Sequence, residues 1–261
     1  MVATITTVLR IEDTKNNLLL KLLCYPRPTQ EEFHRRLKQL RALEIEELVL
    51  DGPCKVNGIS VVGRGCDSLV VKTLMKGKLA ALKIRRVDSH VKTLLKEAKH
   101  QEIANSIGIG AKLYLFSEDF IVMEFIDGTH IDRFIHQAPK DRIMVVIKDL
   151  LEQCRRLDLA GLDHGELSRA RRHVIVSHLR PVIIDFGSSS MQRRPSNIPS
   201  IFSFLFLSKT ELSRLLHQKL DISFSREEAI RIIHEYKRSL SNDSFERMLE
   251  LIALSYGGKD K

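Results

Sequence analysis

The run Pro181-Val182-Ile183-Ile184-Asp185-Phe186-Gly187 restricts this chain more than any other stretch. Apolar residues, including two adjacent isoleucines, end abruptly in an acid, an aromatic and a glycine. The apolar part reads as a short buried strand. The glycine allows a sharp turn just past it. Asp185 is then held at the rim of a core, where a carboxylate is costly unless a cation lies beside it.

Bulk properties set the limits around this element. A chain of 261 residues suffices for one bilobal domain or two small ones, with a sizeable core. The net charge of +9, from 42 basic and 33 acidic side chains, admits contact with RNA, ribonucleoprotein or phosphorylated ligands without requiring it. Cys24, Cys54, Cys66 and Cys154 are far apart with no CxxC spacing, so neither a zinc site nor a disulfide framework is expected. No basic-then-apolar leader opens the chain, and no apolar run approaches the roughly 20 residues that span a bilayer. The expectation is a cytoplasmic protein with reduced thiols and no membrane association.

From the N-terminus, Val2 to Ile11 and Leu18 to Leu23 flank a polar break and suggest a hairpin. Thr29-Gln30-Glu31-Glu32 is a capping-box pattern, and Phe33, Leu37 and Leu40 then recur on one helical face. Residues 1–50 thus read as an extension, a hairpin plus a helix. Two β-branched runs follow around Gly63-Arg64-Gly65-Cys66-Asp67-Ser68. Such a loop lets backbone N–H groups approach phosphate oxygens, although an ordinary hairpin turn has the same pattern. Leu79 to Ile84 is an apolar strand with one lysine, Lys83, which needs an acid nearby if it is buried. Val91 to Ile107 reads as a helix carrying Glu97, the first choice of partner, with Glu102 as the second. Phe120 to Gly128 is a strand ending in an acid and a glycine. Asp141 to Leu159 has helical periodicity, and His164-Gly165-Glu166-Leu167 opens a polar, basic loop before the strand that leads to Asp185.

The order of glycine loop, strand lysine, helix glutamate, apolar strand, His-Gly-acid-Leu loop and Asp-Phe-Gly resembles a protein kinase over about residues 55–210. It is most similar to atypical kinases: the RIO kinases, the small kinase of the KEOPS tRNA-modification complex, and archaeal predicted serine/threonine kinases. The resemblance implies an α+β, bilobal kinase-like fold: a β-rich N-lobe over 51–126, a reduced helical C-lobe over 127–261, and the extension 1–50. It implies ATP and Mg²⁺ as cofactors and transfer of phosphate to Ser or Thr of a protein or of itself. Gly63, Gly65 and Ser68 would cover the phosphates. Lys83 and Glu97 would pair beside them. Glu124 and Ile126 would flank the adenine-binding hinge, with Met123 as gatekeeper. Asp185 would hold the metal and Glu166 would act as base.

The pattern departs from the ordinary kinase in several places. The base is Glu rather than Asp. The usual loop Asn is replaced by Arg171 or, with the following strand as anchor, by His173. Asp163 would be the alternative to Glu166 as base. No Ala-Pro-Glu follows Asp-Phe-Gly, so the protein-substrate platform is missing. Asn197 would cap the next helix. Two other readings therefore stand beside the kinase: a kinase-fold ATPase or pseudokinase acting as a nucleotide-gated module on an RNA-protein assembly, and a small-molecule phosphotransferase like the aminoglycoside enzymes, which share the His-Gly-acid feature.

Overall fold

The computed structural model describes residues 7–257, with side chains described as far as residue 252. The chain divides into two compact units, Met1–Glu102 with Ala111–Ile126 and Ile103–Gly110 with Asp127–Lys261. The first is rich in sheet and the second is mostly helical, so the class is mixed α and β.

The first unit runs β1 (Thr7–Arg10), α1 (Asn17–Leu23), α2 (Gln30–Ala42), β2 (Glu47–Leu50), β3 (Cys54–Val56), β4 (Ile59–Val61), β5 (Gly63–Arg64), β6 (Ser68–Met75), β7 (Lys78–Arg85), α3 (Leu95–Ser106), β8 (Leu113–Phe116) and β9 (Phe120–Glu124). Its antiparallel sheet has the order β1-β2-β6-β7-β9-β8, with β5 paired to β6. Side chains alternate across a strand, so parity decides which core each one joins. Ala80, Leu82 and Ile84 of β7, with Phe120 and Val122 of β9, share a core with Leu19, Leu22, Leu23, Phe33, Leu37 and Leu40 of α1 and α2. Ile121 has the opposite parity and packs with Leu94 and Ala98 at α3. A sheet covered on both faces explains why β7 reads as nearly continuous apolar sequence.

The expected N-terminal hairpin is not formed. Residues 2–6 of its first arm lie outside the described residues, and its second arm is the helix α1. Asn16 caps that helix by accepting the Leu18 N–H at 3.0 Å. Leu19, Leu22 and Leu23 are buried at helical spacing, a period concealed within an unbroken leucine run. β1 pairs with β2 instead, Thr7 opposite Leu50. Leu9, α1, α2 and Leu48 share the core of the first unit. The expected α2 forms, its Thr29 hydroxyl accepting the Glu32 N–H. α3 begins at Leu95 rather than Val91, where the Thr93 hydroxyl accepts the Leu95 N–H at 3.2 Å.

The second unit contains β10 (Thr129–His130), α4 (Ile131–Gln137), α5 (Lys140–Leu159), β11 (Val174–Ser177), β12 (Arg180–Ile183), α6 (Asn197–Phe202), α7 (Glu211–Leu220), α8 (Arg226–Ser239) and α9 (Asn242–Gly257). A 3-10 helix, Leu167–Arg172, occupies most of the expected basic loop. β10, β11 and β12 form a small antiparallel sheet. The apolar stripe of α5, from Ile143 through Leu157, lies in the core of this unit with Phe202, Phe206 and Tyr236. Among the described residues, no helix is long and apolar enough to cross a membrane.

Candidate active-site residues in the two units

In the first unit the parity of β7 carries Lys83 to the face that α3 covers. Lys83 Nζ lies 2.5 Å from Glu97 Oε1. The residues are only 5% and 7% exposed. A charge pair at that depth persists only with tight mutual pairing. Glu102, one and a half turns farther along α3, is exposed and is not the partner. Gly63 pairs with Val70 across β5 and β6, and the Gly65 N–H donates to the Ser68 carbonyl at 2.8 Å, closing the glycine turn. Ser68 is buried at the start of β6. Met123 is partly buried, with its sulfur 3.5 Å from Gln101 Nε2. Glu124 ends β9 and its carboxylate accepts the Lys112 N–H at 3.2 Å. Ile126 is the last residue of this unit.

In the second unit β12 delivers Asp185 with φ of 69°, a left-handed conformation that costs energy for any residue bearing a side chain. The Gly187 N–H lies 3.4 Å from Asp185 Oδ1. Phe186 is buried with its ring 5.2 Å from that of His164. Gly110, at φ +85°, leaves the space that this phenyl ring occupies, for a Cβ there would come within 3.0 Å of it.

The His-Gly-Glu loop is held from several sides. Glu166 Oε2 lies 2.8 Å from Nε2 of the buried His173. Arg169, Arg171 and Arg172 are exposed, so His173 is the residue that reaches Glu166. His164 Nε2 lies 3.1 Å from the Ile184 carbonyl, and its Nδ1 faces the Glu166 N–H at 3.4 Å. Burial lowers the His164 pKa from 6.5 to about 4. Between those values the unfolded chain binds a proton that the folded chain refuses, so stability falls as the solution is acidified through this window. The expected loss from this one group is about 3 kcal/mol. Urea unfolding of wild type and His164→Gln at pH 7, 5.5 and 4 checks it; the variant should show the shallower pH slope.

Asp163, the stand-in base of the sequence reading, is already engaged by other groups. It is buried, ion-paired with Arg193, and accepts the Ser196 N–H at 3.0 Å. Arg193 also donates to the Ser188 carbonyl at 2.6 Å, which folds the segment after Asp-Phe-Gly back over Gly165. Gly165 has φ of +87°, and a Cβ there would meet the Ser188 oxygen at 2.8 Å. Gly165→Ala is therefore expected to cost about 2 kcal/mol of stability, read from a denaturant midpoint.

Asn197 is not the expected cap. It is the first residue of α6, and its amide donates to Asp158 Oδ1 and to the Leu162 carbonyl, both at 2.8 Å, while its oxygen accepts the His164 N–H at 2.9 Å. The cap is Asp158 of α5, whose carboxylate accepts the N–H groups of Asn197 and Ile198 and the Tyr236 hydroxyl. Burial raises the Asp158 pKa and these donors oppose the rise. Nothing in the local sequence announces this network, because its bonded partners lie 33 to 78 positions apart.

Among the described residues no three or more His, Cys, Asp or Glu side chains cluster as a metal site. Mg²⁺ does not need such a cluster: it takes one or two carboxylates and completes its shell with phosphate and water.

No protein-family profile matches the chain. An uncharacterized protein of Methanocaldococcus jannaschii is 27% identical over 116 residues, covering 44% of this chain and 96% of that protein. The KEOPS complex subunit Bud32 of Pyrococcus abyssi is 26% identical over 150 residues, covering 55% of this chain and 60% of Bud32. Among solved structures, the autoinhibited serine kinase domain of the giant muscle protein titin aligns with a TM-score of 0.47 at 15% identity, over 77% of this chain and 79% of that one. Over the matched stretch the chain is thus similar in sequence to Bud32, and it carries a strand lysine paired to a helix glutamate and an Asp-Phe-Gly behind its own strand.

Proposed function

We propose that the chain is an ATP- and Mg²⁺-dependent atypical kinase that transfers the γ-phosphate to Ser or Thr of a protein or of itself. The buried Lys83–Glu97 pair carries this reading. A sheet interior has little reason to hold an ammonium unless its charge is used, and a point charge held in place by Glu97 suits phosphate oxygens. Gly63 and Gly65 would offer backbone N–H groups to the phosphates, with Ser68 behind them. Glu124 and Ile126 would flank the adenine. Asp185 would hold Mg²⁺, which when bound neutralises phosphate charge. The acceptor hydroxyl would attack the γ-phosphorus, the bond to the β–γ bridging oxygen would break, and the hydroxyl proton would pass to Glu166, aligned through His173.

One observation favours a second reading, an ATPase or pseudokinase module on an RNA-protein assembly. His173 engages Glu166 and supplies nitrogen where a loop Asn would offer oxygen to a second cation, and hard cations prefer oxygen. Radiolabelled ATP with wild type, Glu166→Gln and Asp185→Ala separates the readings. Label on protein that both changes abolish supports the kinase. Phosphate release without transfer, or nucleotide binding without turnover, supports the second. Label on a small molecule instead would indicate a small-molecule phosphotransferase.

A further inference from the structure

The glycine turn is bound to its surroundings in the first unit by more than its own hairpin. Arg86, just past the end of β7, donates its backbone N–H to the Asp67 carbonyl at 2.8 Å and Nη1 to the Gly65 carbonyl at 3.1 Å. Asp67 Oδ1 accepts the Ser89 hydroxyl at 2.7 Å and the His90 N–H at 3.2 Å. Asp88 receives the other edge of the Arg86 guanidinium at 2.9 and 2.8 Å. Behind these contacts stands the buried ring of Tyr25, which follows α1 near the N-terminus. The Arg86 guanidinium lies 5.1 Å and the Arg64 guanidinium 5.6 Å from its centroid. The Tyr25 carbonyl accepts the Val87 N–H at 2.9 Å, so the same residue holds the strand end and the loop.

Asp88 already offsets the charge of Arg86. The aromatic face of Tyr25 attracts both guanidiniums without adding a second formal negative charge that would oppose a phosphate. We propose that Tyr25 is a positioning residue for the glycine turn. Through Arg64 and Arg86 it presets the 63–68 backbone for nucleotide phosphate, so that little ordering remains to be done on binding. This rests on the nucleotide-binding reading above. It gives the N-terminal segment a role beyond covering the sheet: any partner that displaces the segment around Tyr25 would loosen the phosphate loop.

The test compares full-length wild type, Tyr25→Leu, Tyr25→Phe and Arg86→Met by two measurements. The first is amide hydrogen exchange of residues 63–68, which needs no ligand. The second is affinity for Mg-ATP by calorimetry. Tyr25→Leu and Arg86→Met should each speed exchange in 63–68 and weaken Mg-ATP binding by about ten-fold, while Tyr25→Phe, which keeps the aromatic face, should match wild type. Arg86→Met supplies the comparison should Tyr25→Leu fold poorly. Unchanged exchange at 63–68 in a folded variant would overturn the brace. Faster exchange with undiminished affinity would overturn its role in binding. A wild type that fails to bind Mg-ATP would refute the nucleotide reading, and the exchange arm would still decide the brace.

Discussion

Asp119→Ala is expected to be the most destabilising single change at a charged residue, lowering the stability of the first unit by about 3–5 kcal/mol. Asp119 is fully buried just before β9. Its Oδ1 accepts from Arg85 at 2.7 Å and from Arg36 at 3.3 Å, and its Oδ2 accepts from Gln39 at 2.6 Å and faces Arg35 at 2.5 Å. Arg36, also without solvent exposure, reaches on to Glu32 and to the carbonyls of Leu23 and Arg85. The network joins α1 and α2 to the strands β7 and β9. Removing its central carboxylate would leave the largely buried Arg85 without its nearest counterion and the buried Arg36 with Glu32 alone, and that residual charge, rather than the lost attraction, dominates the cost. Glu235→Ala makes the contrast. It breaks a pair with Arg247 whose side chains are partly open to water, and should cost under about 1 kcal/mol. Urea midpoints for both variants, with amide exchange of residues 30–50 to assign the transition to the first unit, check the difference. Equal effects would mean that burial does not set the energy of the Asp119 network.

Asp185→Gly is expected to abolish phosphate transfer, to about 1% of wild type or less, while leaving the fold at least as stable. Asp185 sits at φ of 69°, where glycine is unstrained and an L side chain is not. A residue kept there for structure would lose stability when truncated; one kept for its carboxylate would lose activity alone. Lys83→Met should also abolish transfer, but with a fall in stability of about 3 kcal/mol, because Glu97 remains buried beside an apolar side chain. Labelled transfer and thermal midpoints measured on the same preparations separate the two. Transfer retained in Asp185→Gly would remove Asp185 from the proposed chemistry.

Local features of the sequence were sufficient for much of this architecture. Strand β7 with its single lysine, the capped helices α2 and α8, the stripe of α5 and the strand before Asp185 each carry their own signal: alternation, 3.6-residue periodicity, or a Ser or Thr three residues before an acid. The same signals failed at α1, because a run of leucines has no visible period, and only packing against Phe33 and Leu37 selects helix. They failed at Asn197 too, where a residue type that favours caps is used instead as a buried bridge.

The sequence alone thus determined the order of the proposed parts: glycine turn, Lys83, Glu97, Glu166 and Asp185. That information is one-dimensional, since each part is a residue type at the edge of a recognisable element. Only the tertiary structure decided which acid meets Lys83, that His173 rather than Arg171 reaches Glu166, that Asp163 is taken by Arg193, and that Tyr25 stands behind the glycine turn. The physical reason is the same in each case. Burying a charge requires a partner, but the partner's place in the chain is set by strand parity and helix packing, which local composition does not encode.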